Sequence, residues 1–169
     1  LITLVGPGGV GKTRLANEVG LFGLHNAEIS QVFTDGIYFV SLQSIDQQAL
    51  LPNAIASVVG CQMQGVVEPE AQLLAFLRPL RMLLILDNFE HLLDASELVL
   101  HLLQQAPDLK VLTTSLEPLN FQGEWLQQVN GLQVPLDNDP EWYDSPAVQL
   151  FVRSVEQFDP DFNADGNRP

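Results

Sequence analysis

The sequence predicts an α/β protein with a parallel, doubly wound sheet, because short apolar runs typical of strands alternate with segments of helical periodicity. The third of these runs is uninterrupted, as expected for a strand that helices cover on both faces. The first run leads directly into a glycine-rich segment and a helix, which brings a helix N-terminus to the end of a strand. The 169 residues suffice for one domain with a substantial core.

The first strand and the first helix flank the glycine-rich segment. Residues 1–5 are apolar and partly β-branched, which predicts a buried strand. After the glycines, apolar residues recur at helical spacing and predict the helix: Leu15, Val19 and Phe22. A polar segment over 26–35 then leads to the aromatic and β-branched run 37–42, which predicts a second strand.

Two helices are expected between the second and third strands. Residues 46–59 predict the longer one, with its apolar residues on one face and Pro52 in its first turns, where proline is tolerated. A loop is expected over 60–69 and a short helix over 70–77. The apolar run 82–86 then predicts the third strand.

The next helix has an amphipathic pattern. Asp94 is its expected cap, because Glu97 follows at the spacing of a capping box. Its buried stripe should consist of apolar residues at helical spacing: Ala95, Leu98, Val99, Leu102, Leu103 and Ala106. Residues 109–114 predict the fourth strand, which is polar at its end.

A fifth strand and a last helix are expected towards the carboxyl end. The strand should lie within 123–135, where Leu132 and Val134 alternate with a polar residue. Ser145 and Pro146 supply an N-cap and a first-turn proline for the helix.

The composition restricts the possible partners. Seven basic and 21 acidic residues give a formal net charge of −14, which opposes non-specific binding to nucleic acid or to anionic membranes. We expect a domain over 1–160 and an acidic tail over 161–169. Cys61 is the single cysteine, so no intrachain disulfide can form, which suits a reducing cytoplasm. The sequence begins inside the first expected strand without an initiator methionine, and we therefore expect it to be part of a longer protein.

Residues 6–13, GPGGVGKT, match the phosphate-binding pattern G-x-x-x-x-G-K-[ST] at every fixed position. Glycines let successive backbone N–H groups converge on phosphate oxygens, and the helix N-terminus adds partial positive charge. Lys12 should reach the β- and γ-phosphates, and the Thr13 hydroxyl is the expected magnesium ligand. The alternative is a glycine-rich turn that precedes a helix by chance. The expected nucleotide contacts are Gly6, Gly8, Gly9, Val10, Gly11, Lys12, Thr13 and Arg14.

A magnesium–nucleotide site also needs a carboxylate at the end of an apolar strand. Asp87 has that position and should hold magnesium through its water shell, although such an aspartate can also simply face solvent. Position 88 is asparagine where many ATPases have a second acid, so Glu90 is the candidate general base, the alternative being an exposed loop residue. The three histidines lack metal-like spacing and are expected to be structural: His25, His91 and His101.

Residues 6–16 and 83–93 together resemble the STAND class of signal-transduction ATPases, in particular the bacterial branch related to NB-ARC domains. The likeness extends to further segments: 36–42, 113–119, 123–124 and 145–151. Members of that branch are large regulators, often joined to winged-helix or LuxR-type DNA-binding modules and to tetratricopeptide repeats. The resemblance implies a three-layer α/β/α P-loop NTPase fold with a five-stranded parallel sheet of order 5-1-4-3-2.

The resemblance also implies ligands and partners. The ligands would be ATP or ADP with magnesium, and the partners other domains of the same chain, with self-association in the ATP-bound state. The sequence departs from its relatives at Leu116, where they usually carry an arginine that senses the γ-phosphate. A leucine neither donates a hydrogen bond nor offsets negative charge, which puts γ-phosphate sensing and hydrolysis in question.

Three functions fit these observations. The first is a nucleotide switch of a signalling or transcriptional regulator, held closed by ADP, opened by ATP and reset by slow hydrolysis. The second is a nucleotide-binding scaffold without turnover, which Leu116 favours. The third is a small-molecule kinase, which shares the phosphate loop, but the arginines do not form a lid-like cluster: Arg78 and Arg81 precede the third strand, and Arg153 lies in the last helix.

Overall fold

The computed structural model describes residues 1–65, 67–135 and 141–159 of the chain. The described residues form five strands: β1 (Ile2–Val5), β2 (Ile37–Ser41), β3 (Leu83–Asp87), β4 (Lys110–Ser115) and β5 (Trp125–Gln128). They also form six α-helices: α1 (Lys12–His25), α2 (Ala27–Val32), α3 (Leu51–Val59), α4 (Pro69–Leu77), α5 (Ser96–Gln105) and α6 (Pro146–Phe158). In this part of the chain, no helix is both long and apolar enough to cross a bilayer.

Contacts between Cα atoms divide the chain into two compact units, Leu1–Val129 and Asn130–Pro169. The first unit contains the whole sheet and helices α1 to α5. The second contains α6, whose N-terminus Ser145 caps as expected by accepting a hydrogen bond from the Val148 N–H. The acidic tail expected over 161–169 lies outside the described residues.

The sheet is entirely parallel, with strand order β2-β3-β4-β1-β5. This is the expected order 5-1-4-3-2 written from the other edge, so the expected fold class is confirmed. Val5 at the end of β1 is paired with Ser115 in β4, and Leu86 in β3 is paired with Thr113 in β4. The carboxyl ends of β1, β4 and β3 therefore lie side by side at one edge, where open α/β sheets bind their ligands.

Strand β3 is buried on both faces, as its uninterrupted apolar run predicts. Leu84 and Leu86 belong to the larger of two core clusters, together with residues of α3, α4 and α5. Ile85, on the opposite face, belongs to a smaller cluster with Leu4, Ala16 and Leu112. The alternation along one strand thus defines the three layers, with α3, α4 and α5 on one side of the sheet and α1 on the other.

Helix α1 contacts the sheet through its small residues. Ala16, Gly20 and Gly23 are buried, whereas the three apolar residues that predicted the helix are 41%, 41% and 63% exposed: Leu15, Val19 and Phe22. A Cβ at Gly20 would lie 3.0 Å from Ile85 Cδ1, and one at Gly23 would lie 2.5 Å from Ile37 Cδ1. The helical spacing therefore predicted the helix correctly, but the close approach to the sheet selects its glycine face for burial.

Several boundaries differ from the expected ones. The polar segment 26–35 contains α2, whose N-terminus is capped by the Asn26 side chain. The prediction that Asp94 caps α5 is wrong. Asp94 lies in a short 3-10 turn, and α5 begins at Ser96 without a side-chain cap. The fifth strand is Trp125–Gln128, paired with β1, and not the alternating residues Leu132 and Val134.

A chain of hydrogen bonds joins β4, β1 and the loop after β4. The Thr113 hydroxyl donates to Thr3 Oγ1 at 2.9 Å, and the Thr3 hydroxyl donates to Glu124 Oε1 at 2.5 Å. Glu124 also accepts the backbone N–H groups of Leu119, at 3.0 Å, and Asn120, at 2.9 Å. One carboxylate thus fixes this loop to the centre of the sheet.

We expect Glu124→Ala to lower the free energy of unfolding by about 2 kcal/mol, because the buried Thr3 hydroxyl and two backbone N–H groups lose their acceptor. Urea unfolding followed by circular dichroism measures this value. The matched control is Glu117→Ala in the same loop, where the side chain is exposed and has no described hydrogen bond. Equal stability of the two variants would contradict the structural role of Glu124.

Candidate phosphate-binding site

The glycine-rich segment connects the end of β1 at Val5 to the start of α1 at Lys12. Gly9 and Gly11 have φ angles of 75° and 101°, a left-handed conformation that glycine adopts without strain. Gly11 is the N-cap of α1 and has no side chain, so no cap side chain accepts a hydrogen bond from the N–H groups of the first turn. Cβ atoms placed on Gly8, Gly9 or Gly11 would meet no atom within 4 Å. The loop therefore presents its backbone to open space, which suits a phosphate.

Lys12 is 8% exposed, and its ammonium group is held by the loop itself. Nζ donates to the carbonyl oxygen of Gly6 at 2.8 Å and to that of Pro7 at 3.0 Å. An ammonium group has three donors, so one N–H remains for a ligand. The positive charge is thereby fixed next to the open face of the loop.

Gly6 is required by a close approach of the chain after β5. A Cβ at this position would overlap the carbonyl oxygen of Val129, whose N–H donates to Val5 O at 2.7 Å. This contact explains why the motif has glycine at position 6, although Gly6 does not line the cavity described next.

A cavity of about 600 Å³ opens between the loop and the carboxyl ends of the strands. It brings together six of the expected loop residues and Glu90, whereas Gly6, Val10 and Asp87 do not line it. The lining residues are Gly8, Gly9, Gly11, Lys12, Thr13, Arg14, Asn17, Phe39, Asn88, Glu90 and Thr114. Three of these residues were not expected from the sequence: Asn17, Phe39 and Thr114. The spacing of Asn17, one helical turn after Thr13, is the one signal that could have indicated it.

Asp87 ends β3 beside this cavity and is 6% exposed, so the alternative of a solvent-facing carboxylate is wrong. Its Oδ1 atom accepts a hydrogen bond from the Thr114 hydroxyl at 2.7 Å. Thr114 Oγ1 in turn accepts the Asn88 N–H at 2.9 Å. The carboxylate is therefore oriented by the neighbouring strand.

Glu90 lies in a short 3-10 turn, Phe89–His91, that the fully buried Phe89 side chain anchors. Within the described residues, Glu90 Oε2 is the one buried side-chain oxygen that has no hydrogen-bond partner. A buried acceptor without a partner is costly, so a ligand or a water molecule is expected there. The neighbouring His91 is structural, as expected, since its Nε2–H donates to Leu42 O at 3.0 Å and Ile45 O at 2.8 Å.

The described part of the chain contains no cluster of three His, Cys, Asp or Glu side chains that could hold a metal alone. Magnesium does not require such a cluster, because it is commonly bound by one or two protein oxygens together with substrate phosphates and water. Thr13 lines the cavity, and Asp87 accepts a hydrogen bond from Thr114, which lines it as well, so these two residues fit that requirement. Leu116 is 48% exposed and does not line the cavity.

A parallel sheet of this order, with a glycine-rich loop between its first strand and helix, defines the P-loop NTPase fold. No family model matches the chain. Proteins of Mycobacterium tuberculosis and Mycobacterium bovis named as HTH-type transcriptional regulators are 36% identical over 163 residues, which are 96% of this chain and 17% of those proteins. An uncharacterized M. tuberculosis protein is 34% identical over 168 residues, 98% of this chain and 39% of that protein. The chain thus spans well under half of the length of these relatives.

Solved structures are also similar. ORC2 of Aeropyrum pernix, solved in ADPNP–ADP complexes, has a TM-score of 0.52 and 16% identity, covering 68% of this chain and 34% of that one. A STAND protein of Pyrococcus horikoshii with a tetratricopeptide repeat sensor has a TM-score of 0.45 and 16% identity, covering 99% of this chain and 24% of that one. The likeness to ORC2 supports the fold, and membership of the STAND class stays a prediction.

Two glycines of the loop should respond differently to the same substitution. Gly6→Ala is expected to lower the free energy of unfolding by about 2 kcal/mol, because its methyl group would overlap the Val129 carbonyl. Gly8→Ala should leave stability nearly unchanged, because nothing lies within 4 Å of its Cβ position. Thermal unfolding of both variants measures the difference, and a stable Gly6→Ala variant would contradict the described loop.

Proposed function

We propose that this chain is the nucleotide-binding domain of a multidomain regulator and that its cavity binds ADP or ATP with magnesium. The observation that carries the proposal is that the open glycine-rich loop, the buried Lys12 and Glu90 all line one cavity. The relatives named as HTH-type transcriptional regulators support the regulatory part.

Each group has a distinct task in this proposal. The loop N–H groups and Lys12 bind and neutralise the phosphates, with Arg14 adding positive charge at the cavity. Thr13 and Asp87 would hold magnesium, which, when bound, offsets the charge of the phosphates. The Thr114 hydrogen bond keeps Asp87 in one orientation before the nucleotide arrives.

We further propose that the domain is a STAND-type switch in which ADP holds the parent protein inactive and ATP permits assembly. Glu90 is the proposed general base for slow hydrolysis, because its unpartnered Oε2 can accept a proton from water in the cavity. The proposed partners are other domains of the same chain, such as winged-helix or repeat domains, and further copies in the ATP state. The net charge of −14 opposes direct binding of nucleic acid by this domain, and we propose a cytoplasmic location.

The second candidate is a nucleotide-binding scaffold that does not turn over. It is favoured by Leu116, which supplies no hydrogen-bond donor and does not line the cavity. In that case bound nucleotide stabilises the domain, and Glu90 binds water without a catalytic role.

Lys12→Ala should abolish binding of Mg-ADP and Mg-ATP in calorimetric titration, because the phosphates lose their buried cation. Lys110→Ala is the matched control, since this exposed lysine begins β4, at the end away from Thr114, and its ammonium donates to Pro107 O. If wild type binds neither nucleotide, or if Lys12→Ala binds as wild type does, the proposed function is wrong.

Hydrolysis separates the switch from the scaffold. If Glu90 is the base, Glu90→Gln should slow ATP hydrolysis about a hundredfold while the affinity for ATP changes little. Leu116→Arg should raise the rate if the arginine reaches the γ-phosphate. Phosphate release measures both rates, with the exposed Glu97→Gln as control. Absence of hydrolysis in wild type and in Leu116→Arg would favour the scaffold.

A further inference from the structure

We propose that the Asn88 side-chain amide donates a hydrogen bond to the γ-phosphate and so distinguishes ATP from ADP, a proposal that rests on the nucleotide-binding function above. Leu116, after the end of β4, is exposed and lies outside the cavity. Because Lys12 is expected to contact both the β- and the γ-phosphate, distinguishing ATP from ADP by the γ-phosphate alone calls for a further donor on the cavity wall. Outside the loop and α1, the cavity is lined by three polar residues: Asn88, Glu90 and Thr114.

Two of these three side chains cannot donate a hydrogen bond to a ligand. The Thr114 hydroxyl proton is already donated to Asp87 Oδ1 at 2.7 Å, in a position that is 1% exposed. A carboxylate such as that of Glu90 only accepts. The Asn88 amide has two N–H donors and no hydrogen-bond partner among the described residues, so it remains available to a ligand.

The backbone of Asn88 is held in an uncommon conformation. Its φ angle is 70°, in the left-handed region that asparagine tolerates better than most residues. The Asn88 N–H donates to Thr114 Oγ1 at 2.9 Å, so the same threonine fixes Asp87 and the next residue. The half-buried side chain at this fixed position lines the cavity directly after the Asp87 carboxylate.

An amide at this place should discriminate between nucleotides more than it accelerates hydrolysis. A neutral N–H donor gains a hydrogen bond to the γ-phosphate that ADP cannot offer, and hydrogen bonds to charged acceptors are the stronger ones. It carries no net charge, however, and stabilises developing negative charge less than an arginine does. Asn88 would thus provide ATP recognition in a site that hydrolyses slowly.

The test compares Mg-ATP and Mg-ADP affinities of the 169-residue chain by calorimetric titration. Asn88→Gly removes the amide and retains the left-handed backbone. We expect this variant to lower the affinity for ATP about tenfold and to leave the affinity for ADP nearly unchanged. Asn120→Gly is the matched control, because Asn120 is the second left-handed asparagine of the described chain, with φ 63°, and lies outside the cavity.

Two further variants keep the proposal falsifiable. In Asn88→Asp the side chain has the same shape, but its carboxylate only accepts hydrogen bonds. Without magnesium, this variant should weaken ATP binding more than Asn88→Gly does, because the carboxylate repels the γ-phosphate. Asn17→Ala removes the other amide of the cavity. An unchanged ATP-to-ADP affinity ratio in both Asn88 variants, or a change in Asn17→Ala alone, would overturn the proposal. If that happens while Lys12→Ala abolishes binding, the proposed nucleotide function still stands.

Discussion

Helix α1 lies so close to the sheet that a Cβ at Gly23 would overlap Ile37 Cδ1 and one at Gly20 would lie only 3.0 Å from Ile85 Cδ1. This close approach holds α1 against the strands, and Lys12 is the first residue of that helix. The loop is positioned by backbone approach in a densely packed layer, where even one methyl group is felt.

A second constraint acts across the strands. Thr114 donates to the Asp87 carboxylate and accepts the Asn88 N–H, so a single hydroxyl of β4 orients the last residue of β3 and the first residue after it. Polar groups in such a buried place stay rigid only when each of them has a partner. Glu90 departs from this pattern with an unpartnered buried oxygen, and such departures are expected where a ligand completes the arrangement.

The candidate site lies within one of the two compact units, whereas part of the surface of that unit takes no part in the site. All residues of the candidate site belong to the unit Leu1–Val129: the loop with the buried lysine, Asp87 at the end of β3, and Asn88 and Glu90 after it. The exposed apolar side of α1, formed by Leu15, Val19 and Phe22, serves no part of that site. The relatives extend well beyond the matched region, which agrees with the proposal of a domain that works inside a larger chain.

The sequence by itself determined the class of the fold, the phosphate loop and most elements, because periodicity and turn chemistry are local properties. The glycine pattern of residues 6–13, the apolar run before Asp87 and the Ser145 cap are of this kind. The sheet order came from family resemblance, since strand pairing is not encoded within any one segment. Only the tertiary structure decided which face of α1 is buried, that β5 is Trp125–Gln128, and that Thr114 contacts Asp87. These features depend on residues that are distant in the chain and meet only when the sheet has formed.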